Sequence, residues 1–455
     1  MTKTTQKNTV YNIIAVLIGA LLMGFLWRVR GDTGWGSSWG LLNAGFVYCL
    51  FITLAAGERK KLDMGWLAIT AFSFMLTVPA WGTIISQISG LLFRPAAGEA
   101  PVYVSVWSAV VLMLALGFGV ATIFGIMLGR GYSDKQWKIK DIIILIAVFY
   151  IADLAAKASI SHWIFGLIQP EAVEYFKNGL AEAGIDGSIY EVYMQHFDNV
   201  SWGKKITGGR NYFSTIQVIS SVFRTVAALI ATRFVIKDKV AAKVGAVVSA
   251  AFAIAITVAD LFFYFGNGGY HMEGQSAFSD MVYPWSCWEY FTGFIAGGII
   301  TAFILAMKKK ENVSELAFAK VPEKAAEILK FTLGFVALIG ISIVRPVLER
   351  FGDSSYQLIA TIIAVVIALA FVAILNSKLG FNCKNVSMTV LSGILLSVFA
   401  VYIFIVYVAV GPKEEVNLYS MGSLHNILCT VSAALVFVWA VYNTVKNKKT
   451  LSGKE

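Results

Sequence analysis

Residues 10–27 read Val10-Tyr11-Asn12-Ile13-Ile14-Ala15-Val16-Leu17-Ile18-Gly19-Ala20-Leu21-Leu22-Met23-Gly24-Phe25-Leu26-Trp27, without a single charge. Lipid offers backbone N–H and C=O groups no partner, so a segment that crosses it must bond internally as helix, and a core of about 30 Å takes roughly 20 apolar residues. No small-residue cleavage site follows Ala20, which predicts a retained membrane helix rather than a removed signal peptide. The same pattern recurs along the chain. Candidate spans are 10–27, 40–57, 64–93, 102–128, 141–168, 211–236, 240–265, 288–307, 327–345, 356–377, 387–410 and 422–445. The expected fold is therefore an all-α polytopic membrane protein of about 12 transmembrane helices. The third and fifth stretches exceed one span and are expected to tilt or break, with Pro79 kinking the third.

Composition agrees. The 455 residues are 58% hydrophobic and 14% charged, with mean hydropathy +0.72. A soluble domain carries about 25% charged residues, and a soluble globule of this composition would expose most of its excess apolar surface. That excludes a soluble enzyme. Cys49, Cys287, Cys383 and Cys429 form no CxxC pair, so no metal or redox motif appears, and nothing signals heme, flavin or nucleotide.

The net charge of +10 has a membrane explanation. With the N-terminus in the cytoplasm, alternate loops collect the basic residues: Arg59-Lys60-Lys61, then Arg130 to Lys140, Arg233 to Lys243, Lys308 to Lys330, and Lys446 to Lys454. This is the positive-inside bias, and it predicts a multi-pass cell-membrane protein with both termini cytoplasmic. The lipid bilayer is the expected partner. No folded basic and aromatic surface is available for nucleic acid. Gly45-Phe46 opens a run ending in Arg59-Lys60-Lys61, and Gly293-Phe294 opens one ending in Lys308-Lys309-Lys310. Each would be the second helix of a six-helix half, as a 6+6 pseudo-repeat requires.

Chemistry concentrates on the exoplasmic side of this topology. All four histidines fall there, as do nine of the twelve tryptophans. The first loop, residues 27–40, holds Arg28, Arg30, Asp32, Trp35 and Trp39 among glycines, which suit close approach to an anion held by the arginines. The second, 203–212, is a basic glycine-rich entry to a helix with Arg210 in it. The third, 266–290, holds His271, Glu273, Trp285 and Glu289. Arg28, Arg30, Trp35, Trp39, Arg210, Trp285 and Glu289 are the candidate ligand-binding residues, expected to converge on one exoplasmic pocket. If the protein is an enzyme, Asp32, His271 and Glu273 are its candidate acid–base residues. No metal-ligand set is assigned. Loops 169–210 and 266–287 are too short for independent domains.

Four charges lie within the spans: Asp153, Lys157, Arg224 and Asp260. Each costs several kcal/mol at membrane depth, so they are expected to form an intramembrane network. Two functions follow as expectations. One is a permease for a polar, anionic or sugar-like solute; the other is a membrane enzyme with an exoplasmic site, such as a transferase using a lipid-phosphate-linked donor.

Overall fold

The computed structural model describes residues 3–30, 37–57, 64–76, 84–85, 87–89, 92, 102–265, 281–307, 388–404 and 423–451, with isolated positions at 359, 362–363 and 366. Helix makes up 84% of the structure, and there are no strands among the described residues. The helices are α1 (Lys3–Val29), α2 (Ser37–Ala56), α3 (Met64–Met75), α4 (Val106–Val120), α5 (Thr122–Arg130), α6 (Ile139–Lys157), α7 (Ile160–Ile168), α8 (Pro170–Glu182), α9 (Ile189–Gln195), α10 (Val200–Gly203), α11 (Gly209–Ile230), α12 (Lys239–Ala259), α13 (Phe262–Phe265), α14 (Pro284–Ala306), α15 (Met388–Phe404) and α16 (Leu424–Leu451).

Apolar side chains face outward and charges inward. On α6, Ile143, Ile151 and Leu154 are exposed while Asp153 and Lys157 are buried; on α16, Val438 and Tyr442 are exposed while Asn443 is buried. That is the reverse of a water-soluble helix and suits a lipid surround. Among the described residues, five helical segments are long and apolar enough to cross a membrane, at Thr9–Val29, Gly209–Val235, Lys239–Tyr264, Pro284–Ala306 and Leu424–Asn447. A sixth span is formed if α4 and α5 count as one. α6 is long enough, but Lys140, Asp141, Asp153 and Lys157 make it too polar to qualify alone. α2, α3 and α15 contribute shorter apolar helices, and the stretches 327–345 and 356–377 lie outside the described residues, isolated positions apart.

The fourth and fifth stretches are broken, the fourth without having been expected to be. α4 and α5 meet at Ala121 with a 40° bend. No proline causes it. The hydroxyls of Thr122 and Thr225 both reach the Phe118 carbonyl, at 3.4 and 3.5 Å, and Thr122 also bonds Thr225 and Ser249. Side chains thus re-satisfy the carbonyl that the bend frees. The fifth stretch breaks at Ala158-Ser159 into α6 and α7. The third ends as helix at Met75, and Pro79 lies outside the described residues.

Small residues set the closest packing, since lipid supplies no hydrophobic drive between helices. α14 runs antiparallel along α1. A Cβ on Gly297 would stand 2.6 Å from the Gly19 carbonyl oxygen, so only glycine permits this approach. α12 packs on α4 and α5, and α11 on α6 and α4. The turns at Arg30, Ser105, Gln169, Gly208, Asp260 and Tyr283 lie at one end of the bundle, here the Arg30 end, while Arg130, Lys138, Asp238 and Met307 lie at the other.

Segment 169–210 differs from the expected loop. It folds as α8, α9 and α10, a helical cap on the Arg30 end whose Phe176, Leu180, Val192 and Tyr193 are buried against α7 and α11. Pro170 at the first turn of α8 and the Ser188/Glu191 capping box of α9 start these helices. The Glu191 carboxyl accepts from the Ser188 N–H and hydroxyl, which holds it below the usual glutamate range.

Candidate functional site

Two of the three loops singled out in the sequence do meet. α1 ends in Arg28 and Arg30, and the first turns of α14 carry Glu289, because the two helices run antiparallel in close contact. Arg28 donates to one Glu289 oxygen at 3.1 Å and Arg30 to the other at 3.3 Å. Arg30 also donates from Nε to the Trp27 carbonyl at 3.2 Å and lies 4.4 Å over the Trp27 ring. It is only 5% exposed.

Around this triad lie buried polar groups. Asn43 of α2 lines a void of about 10 Å³ with Arg30 and Phe399, room for one water at most. Among the described residues, neither amide atom of Asn43, nor the Asn426 amide nitrogen, nor the His425 Nδ1 meets a hydrogen-bond partner. His425 and Asn426 start α16, where His425 sits edge-on to Tyr283 and within electrostatic range of Arg28. An orphaned buried donor costs about 1–3 kcal/mol, so such a cluster is expensive unless something binds to it.

Other sequence candidates fall elsewhere. Arg210 is exposed on the first turn of α11, and no ion pair among the described residues joins it to the triad. The glycines beside it have a packing role instead. Gly208 has φ +72°, and a Cβ there would meet the Phe176 backbone at 2.9 Å. Trp285 is 51% exposed and edge-on to Phe263. Asp32, Trp35, His271 and Glu273 lie outside the described residues, as does the side chain of Trp39.

The second constellation is the charge network. Lys157 Nζ stands 2.7 Å from Asp153 Oδ2, one turn back on α6, and 2.8 Å from Asp198 Oδ2, beyond α9. Arg224 on α11 is 3.6 Å from Asp153 Oδ1 and lies 4.8 Å over the Phe149 ring. Ser220 donates to Asp153 at 2.9 Å, and Gln217 donates to Asp198 at 2.5 Å. His162 bonds the Lys157 carbonyl and the Tyr212 hydroxyl, both at 2.8 Å. Asp153, Lys157 and Arg224 thus share one cluster, and Asp198 makes its charge sum to zero.

Asp260 is not in it. It is buried at the C-terminus of α12 and accepts from the Ile88 N–H at 3.3 Å, because α12 ends beside the Gln87–Ser89 turn. Ser220 joins this cluster through the packing of α11 on α6, and Asp198 and Gln217 join it once the cap folds onto α11, contacts that no spacing along one helix reveals. Asp198 does carry a local signal, a non-glycine residue at φ +58°.

Among the described residues no three His, Cys, Asp or Glu side chains group as metal ligands. An apolar groove of about 390 Å³ opens between α4, α7, α11 and α12, lined by residues such as Leu112, Phe118, Ile164, Ile219 and Phe223. No family model matches the chain, and neither a curated protein nor a solved structure matches it.

Proposed function

We propose that the chain is a permease of about 12 helices in a 6+6 arrangement, in the cell membrane, with both termini cytoplasmic. Its cargo is a polar solute carrying negative charge. The Arg28–Glu289–Arg30 triad, with Arg30 buried and with the polar groups of Asn43 and His425 beside it, is the observation that carries this reading. An anion entering there would compete with Glu289 for the two guanidinium groups and accept the Asn43 amide N–H groups. Glu289 holds both guanidinium groups in place until the anion competes for them. Basic residues at the opposite end of the bundle, such as Arg130, Lys138 and Lys237, support the orientation.

The test is uptake by purified protein in liposomes with a panel of labelled organic anions and sugars. Arg30→Gln is expected to cut anion uptake about a hundredfold, from loss of a charged hydrogen bond worth about 3 kcal/mol. Folding is checked by unchanged gel-filtration behaviour. No uptake across the panel would overturn the reading. A second reading, a transferase acting on a lipid-phosphate-linked donor, is favoured by the apolar groove, which suits a lipid tail. Turnover of such a donor without solute uptake would establish it.

A further inference from the structure

The Asp153–Lys157–Asp198 chain has a geometry that a purely structural ion pair does not need. One ammonium sits between two carboxylates, at 2.7 and 2.8 Å. The two acids differ in access: the Asp198 side chain is 32% exposed, the Asp153 side chain only 6%. The line from Asp198 through Lys157 to Asp153 therefore runs from solution into the bundle. Asp198 is held at φ +58°, a backbone angle uncommon for a non-glycine residue, and the bonds from Lys157 and Gln217 keep it there.

We propose that Asp153, Lys157 and Asp198 form a proton relay that loads one proton from solution onto Asp153 inside the bundle. The balance is simple. A hydronium ion protonates Asp198. Lys157 gives a proton to Asp153 Oδ2 at 2.7 Å and becomes a neutral amine. Asp198 then returns its proton to Lys157 across 2.8 Å and is again a carboxylate. The net change is one proton from water to Asp153, and the cluster goes from neutral to one positive charge.

The groups that face the relay among the described residues fit this path. Arg224 and Ser220 on α11 hold the other Asp153 oxygen and keep the carboxylate oriented. Tyr150 lies one turn back on α6 and is coupled to Arg224. His162 accepts from the Tyr212 hydroxyl and donates to the Lys157 carbonyl, so both ring nitrogens are already engaged. Tyr193 faces both acids; burial and their charge push its phenol up, so it stays a neutral hydroxyl. Gln217 cannot titrate. The protonated state weakens the Asp153 hold on Arg224 and so loosens α6 from α11, a motion that an alternating-access transporter could use. Proton loading does not depend on solute transport; only its use to drive uptake rests on the permease reading.

Infrared difference spectroscopy tests this on the full chain in phosphatidylcholine vesicles. Stepping the outside solution to acid is expected to raise one protonated-carboxyl band. The band should vanish in Asp153→Asn and return at a shifted frequency in Asp153→Glu, which keeps an acid there and guards against simple misfolding. In Asp198→Asn the band should reach the same height but form about a hundredfold more slowly, because the entry step is gone. A band untouched by Asp153→Asn and Asp153→Glu, or one that forms at the wild-type rate in Asp198→Asn, would overturn the relay. A positive infrared result with no uptake of any solute would leave the relay standing and sink the permease.

Discussion

Arg224 pairs with Asp153 at 3.6 Å, and that acid serves Lys157 as well. Removing the guanidinium leaves two carboxylates facing one ammonium in a buried site. Arg224→Ala should therefore lower stability by about 3 kcal/mol, read as thermal unfolding in detergent. Adding Asp153→Asn removes the excess acid and should recover part of that loss. Strictly additive losses would show that the two groups do not interact. Asp153 and Lys157, four apart on one helix, were legible as a pair from spacing alone. Asp198 was not, because its contact depends on the path the chain takes through α8 and α9.

At the scale of elements, glycine spacing decides which helices touch. Gly297 and Gly298 are neighbours in sequence but differ in surroundings. A Cβ on Gly297 would collide with the α1 backbone at Gly19, whereas one on Gly298 would meet only the Ala20 methyl at 3.4 Å. Gly297→Leu should then cost about 2 kcal/mol through overpacking and shift the Arg28–Glu289 contact that this helix pair positions. Gly298→Ala should be close to neutral. Equal effects of the two substitutions, measured side by side, would mean that α1 and α14 do not meet on this face. The apolar runs announced both helices. Their pairing was not announced, since Gly293-Phe294 drew attention as an echo of Gly45-Phe46 rather than as a surface for α1.

At the scale of the whole molecule, the helical cap and the basic turn after α5 mark opposite ends. Asp186 in the cap and Lys135 beyond Arg130 are both exposed. Cys49, Cys287 and Cys429 are buried, so in a Cys383→Ser background single cysteines can be placed cleanly. An impermeant maleimide added to intact cells should label Asp186→Cys and spare Lys135→Cys. Labelling of Lys135→Cys alone would invert the orientation, and equal labelling of both would remove it.

The sequence by itself determined the solvent. Runs such as 10–27 have to be helical, because lipid leaves no other way to satisfy the backbone, and α1, α11, α12, α14 and α16 follow the predicted stretches to within a few residues. It also predicted that the long third and fifth stretches tilt or break, and the fifth does break at Ala158-Ser159. Only the tertiary structure decided which polar groups face one another. Arg28 and Arg30 meet Glu289 because two distant helices pack antiparallel through glycines; Asp260 turns to a backbone N–H rather than to Arg224; and segment 169–210 becomes a cap because Phe176 and Tyr193 find an apolar face on α11. Spacing along one helix is a local property written in the sequence, whereas contact between helices depends on how whole faces fit, and that is fixed by packing.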